Sequence, residues 1–185
     1  MNIILNGIIT GLLLSTLIGA TFFMLIETSM TRGFRVALWF EAGVVLCDAL
    51  IITGIYFFAS WITNTLINNQ YFNIAGGIVF MAFGVNYIFS RKKAESETLS
   101  VSRNIRTFAN GFFINLMNPS VLLFWMGTMA VSLTNFGYNG KQVFFYYLSI
   151  LIIMILFDVL KAYFAYRLSG LIHSKVLKII YVFSG

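Results

Sequence analysis

Hydrophobic positions along the chain fall in long runs, and the polar residues gather in short stretches between them. About 20 consecutive apolar residues cross the hydrocarbon core of a bilayer as a helix. On that measure the pattern predicts transmembrane helices at 3–26, 36–61, 71–90, 106–130 and 142–166. The connections are 27–35 with Arg32 and Arg35, the uncharged 63–70, the hydrophilic 91–106 and the turn-rich 134–141 with Gly137 and Gly140. After His173 only 176–183 resembles the start of another span, too short to cross, so a sixth helix is expected to be truncated or deleted. The predicted fold is therefore all-α and polytopic, with five full spans and a shortened sixth in one transmembrane domain, 1–185. Gly7 and Gly11, and Gly76, Gly77 and Gly84, supply the small-residue spacing that lets membrane helices approach closely.

The fourth run organises the rest. From Thr107 to Asn139 no charged residue occurs, yet the run contains Asn110, Gly111, Asn115, Asn118 and Pro119. Proline removes a backbone donor, clashes with the preceding turn and disfavours the α conformation at Asn118. A kinked or unwound helix is expected from Asn115 to Pro119. Asn115 and Asn118 are three apart and share a face beside carbonyls that the proline leaves free. Two readings stay open: a polar substrate site at a broken helix, or a kink with asparagines bonding neighbouring helices.

Composition narrows the class. The chain is 59% hydrophobic and 10% charged, with 20 Phe and one Pro among 185 residues. Such a composition belongs to a helical membrane protein and not to a soluble domain. A lone cysteine, Cys47, excludes an intramolecular disulfide, and a lone histidine cannot supply a zinc site. No cofactor is implied. The net charge of +6 reports topology, not nucleic acid. Connections 27–35, 91–106 and the one after the fifth span hold Arg32, Arg35, Arg91, Lys92, Lys93, Arg103, Arg106, Arg167, Lys175 and Lys178, whereas the other two hold Lys141 alone. Ten against one places the first set in the cytoplasm and the amino terminus outside. The first apolar run lacks a basic segment before it and a cleavage site after it, so it is expected to be retained.

Asp48 is the leading ionisable candidate. It lies thirteen residues beyond Arg35, roughly 20 Å along a helix, and no Lys or Arg stands within two turns of it. A carboxylate that deep is costly unless paired or protonated, which marks either a proton-coupling group or a structural partner for another helix. Glu41 is expected nearer the cytoplasm, as part of a vestibule or as an interfacial carboxylate. Asp158 and Lys161 are neighbours on one helix face. They form either a self-compensating pair, with Lys161 snorkelling to the interface, or opposite poles for a zwitterion. Trp39, Trp61 and Trp125 are read as interface or packing residues.

A weak internal repeat relates 1–90 to 107–185. The patch from Ser15 to Ala20 overlays that from Ile114 to Pro119, and each second helix carries an Asp, Asp48 and Asp158. Three helices per half require inverted insertion, a transporter feature. GATFFMLIETSMTRGFRVALWFEAGVVLCD (19–48), the Gly-rich third run and FANGFFINLMNPSVLLF (108–124) together resemble the lysine exporter (LysE/RhtB-type) translocator family of bacterial amino-acid efflux proteins. The most specific element is the NxxNP block, Asn115 to Pro119. The resemblance implies six helices, a homodimer and ion-driven export of amino acids or their derivatives across the inner membrane. Where that family has Gly-Pro in the first helix this chain has Gly19-Ala20, so a softer break is expected there.

The leading function is thus a proton-coupled secondary exporter of a small metabolite. Asp48, Asn115, Asn118, Pro119, Asp158, Lys161 and Glu41 serve substrate and coupling ion, and Gly19 and Ala20 mark the first break. The alternatives are a divalent-cation exporter and a non-transporting assembly factor. Clustered carboxylates suited to a metal are not evident, and no HExxH or GxSxG motif supports an enzyme.

Overall fold

The computed structural model describes residues 3–17, 19–61 and 103–169. The expected third span, segment 91–102, His173 and the last apolar run lie outside the described residues, and the full count of spans with them. Described regular structure is helical throughout: α1 (Ile3–Ser15), α2 (Ala20–Arg32), α3 (Phe34–Trp61), α4 (Arg103–Leu116), α5 (Pro119–Ala130) and α6 (Lys141–Leu168). A π-helical turn, Val131–Asn135, extends α5.

Two of the expected spans are not straight helices. The first is split into α1 and α2, whose axes meet at 72°, and the fourth into α4 and α5–π, meeting at 65°. The helical stretch Phe34–Phe58 and α6 are each apolar and long enough to cross a membrane alone, so the described residues hold up to four spans if each bent pair counts as one. The expected connection at 27–35 is a correction. Leu25, Thr28 and Ser29 are buried, which keeps α2 helical through Arg32. Gly33 alone turns the chain into α3, at φ 96°, a backbone region that glycine enters without strain. Likewise Arg103 to Arg106 form the first turn of α4 and are not loop.

Helix α3 lies along α4, α1 lies along α6, and α2 packs on both α3 and α6. Glycine sets the first contact: a Cβ on Gly43 would overlap the Phe108 carbonyl, and one on Gly111 would overlap that of Phe40. Gly7 and Gly11 perform the same task between α1 and α6, against the carbonyls of Tyr146 and Ile150. Lipid tails supply no hydrophobic drive between helices, so such backbone approach carries much of the association. Two apolar clusters result, one around Trp125, Tyr146, Ile150 and Cys47, the other around Leu25, Phe40 and Ala162. Leu13, Phe57, Phe144 and Phe164 point outward, as they would toward lipid.

Candidate functional site

A cavity of about 580 Å³ lies where both clusters meet the two helix breaks, bordered by Leu14 and Trp125 of one cluster and Leu25 and Val44 of the other. The first break forms its α1–α2 side. At the end of α1 the Thr16 amide still donates to Leu12 O and Leu13 O (3.3 Å each), to which Ser15 Oγ (2.9 Å) and Thr16 Oγ1 (2.6 Å) respectively add a second bond, while Ser15 O accepts from Lys161 Nζ (2.5 Å). Gly19 is extended (φ −138°, ψ −176°) before α2 begins at Ala20. No proline stands at this break, and its two helices meet at 72°, against 65° at the second.

The second break agrees with the expectation drawn from Asn118-Pro119. Asn118 is extended (φ −86°, ψ 105°), and its side-chain oxygen accepts from the Ser120 amide at 3.1 Å. Pro119 opens α5, where its missing N–H leaves no bond unmade. Asn118 thus caps one helix, while Asn115, one turn earlier, is buried and reaches another. Its amide donates to Asp48 Oδ1 (2.8 Å) and Val44 O (3.4 Å).

Asp48 is buried and not left without compensation. Oδ1 accepts from Asn115 and also from the Trp125 indole at 2.8 Å. Both donors come from the second broken helix, Asn115 from α4 and Trp125 from α5, which a search for cations along α3 does not reveal. Sequence reasoning misses Trp125 as a site residue; its signal is that a buried indole N–H needs an acceptor. Asp158 pairs with Lys161 (2.6 Å), as neighbours on one helix face can. Lys161 does not snorkel, however. It turns inward to Ser15 O and stands 5.5 Å from the centre of the Phe22 ring. Of the two readings of Glu41, burial disfavours a solvent-facing interfacial carboxylate: at 6% exposure it lines the cavity and lies against the Asp158 carboxyl.

The fold therefore brings Gly19, Ala20, Glu41, Asp48, Asn115, Asn118, Pro119, Asp158 and Lys161 to one cavity. Its described ionisable groups are three carboxyls and one ammonium, an excess of acid that a proton or a cationic group entering the cavity would offset. Among the described residues no three His, Cys, Asp or Glu side chains are grouped to hold a metal ion. Trp39 is half-exposed on the outer face of α3, and Cys47 is a core residue.

Residues 12–185 match the family model described as LysE type translocator. The chain belongs to the LysE type translocator family. It is 30% identical over 182 residues, 96% of this chain and 87% of the other, to a Bacillus subtilis (strain 168) protein named "Putative amino acid efflux protein YcgF". No solved structure gives a significant match. This LysE-type chain is accordingly a membrane transporter, from a family of translocators and not of enzymes, and its cavity is formed where two apolar helices break.

Proposed function

We propose that the protein is a secondary active exporter of amino acids or closely related small metabolites across the bacterial inner membrane, driven by protons. One observation carries this reading. Ionisable and amide residues of α3, α4 and α6 that are costly in lipid converge with both helix breaks on a single cavity. The name of the Bacillus subtilis relative favours amino acids over other cargo. In this reading the chain forms one translocation domain of two inverted three-helix halves, assembled as a homodimer. Asp48 is the coupling group. The zwitterion lies between Asp158, which takes its ammonium, and Lys161, which takes its carboxylate. Asn115, Asn118 and Pro119 hold the second break open to substrate, and Glu41 adds to the negative potential of the ammonium end. A divalent-cation exporter would need several carboxylates free to ligate, whereas Asp48 is engaged by the Asn115 amide and the Trp125 indole. The test is a panel of amino acids and divalent cations offered to everted vesicles under an imposed proton gradient. Gradient-dependent accumulation of an amino acid is expected; accumulation of a metal alone would overturn the reading.

A further inference from the structure

The ammonium of Lys161 has three neighbours of three kinds. Its Nζ donates to the Asp158 carboxylate at 2.6 Å and to the Ser15 carbonyl at 2.5 Å, and it stands 5.5 Å from the centre of the Phe22 ring. A carboxylate, a carbonyl at the negative end of a helix and an aromatic face are each attractive to a cation. They come from three elements: Asp158 from α6, Ser15 from the end of α1, and Phe22 from the first turn of α2. Lys161 itself is two-tenths exposed and sits on the cavity. An ammonium has three donors, and two of them are committed here.

We propose that these three groups form the ammonium subsite of the transporter, and that Lys161 is a tethered occupant which the amino group of the substrate displaces. This deepens the export reading and rests on it. When a substrate ammonium takes Asp158, Ser15 O and Phe22, Lys161 is released with its donors free, beside the place where the carboxylate of that substrate lies. The pairing of Asp158 with Lys161 is then the closed, unloaded state of the zwitterion site. Displacement also lifts the clamp on the end of α1. Lys161 bridges α6 to the last carbonyl before the first break, so loading the site frees α1 and α2 to change their angle.

The probe is n-propylammonium chloride, an ammonium without a carboxylate, titrated calorimetrically into the detergent-solubilised full chain at fixed pH. In the native protein it must compete with Lys161. In Lys161→Gln the subsite loses its cationic occupant, and affinity should rise about tenfold or more, the scale of a charge-assisted hydrogen bond. Unchanged or weaker binding by a Lys161→Gln protein that elutes as a single helical species would overturn the proposal. Asp158→Asn supplies a second test with the lysine in place: propylammonium binding should be lost, and native affinity in that variant would also overturn it. Neither readout depends on transport. If the vesicle panel fails while Lys161→Gln gains affinity, the export reading falls and the ammonium subsite stands.

Discussion

At the scale of single residues, the decisive contact is the clasp on Asp48. One carboxylate oxygen accepts from an amide and an indole, both of which come from the second broken helix, α4–α5. Removing one donor from a buried acceptor costs about 1–3 kcal/mol. Trp125→Phe is therefore expected to lower stability by about that amount, read from thermal unfolding in detergent. Adding Asp48→Asn in the Trp125→Phe background should cost less than it does alone, because the two side chains share one interaction. Fully additive losses would show that the indole bond contributes nothing. Asp48, Asn115 and Asp158 are legible in the sequence because an acid or amide stands out in an apolar run. Trp125 is not, since an indole counts as apolar until its N–H has to be satisfied. Lys161 is misread for a related reason. Spacing shows its bond to Asp158, but the Ser15 carbonyl that turns it inward comes from a helix more than a hundred residues away.

At the scale of elements, the two breaks arise from different chemistry. Pro119 announces the second, because a proline cannot continue the α4 ladder, and Asn118 caps α5. The first has no proline: an extended Gly19 precedes α2, and a lysine from α6 donates to the Ser15 carbonyl at the end of α1. Local sequence shows the small polar patch but not its angle. Glycines separate in the same manner. Gly43 and Gly111 each face the backbone of the opposite helix, whereas Gly54 and Gly127 have nothing within 4 Å of an added Cβ. Gly43→Ala and Gly111→Ala should each push α3 from α4 and cost about 1–3 kcal/mol. Gly54→Ala and Gly127→Ala should be neutral or stabilising by up to about 1 kcal/mol, since alanine is the better helix former. Thermal unfolding of the four variants checks the ranking, and equal effects across all four would contradict the close approach.

At the scale of the whole molecule, orientation and coupling decide what the transporter does. The ten-to-one distribution of Lys and Arg predicts that 91–106 faces the cytoplasm and 63–70 faces outside. In a Cys47→Ser background, an impermeant thiol reagent applied to intact cells should modify Asn68→Cys and spare Ser96→Cys. The reverse pattern would invert the topology.

Coupling is the central claim. A secondary exporter requires a group whose charge differs between its inward- and outward-facing states. Asp48 is buried at the cavity and lies where the second broken helix meets α3, so a change in its charge would be felt by both donors from that helix. Asp48→Asn retains the shape of the side chain and removes its charge. The most direct measurement uses everted vesicles and the amino acid selected by the panel, comparing gradient-driven accumulation with exchange of labelled for unlabelled substrate. Asp48→Asn should still exchange substrate but no longer accumulate it when a proton gradient is imposed. Accumulation at the native rate by Asp48→Asn would contradict the account and leave Asp48 a structural acceptor.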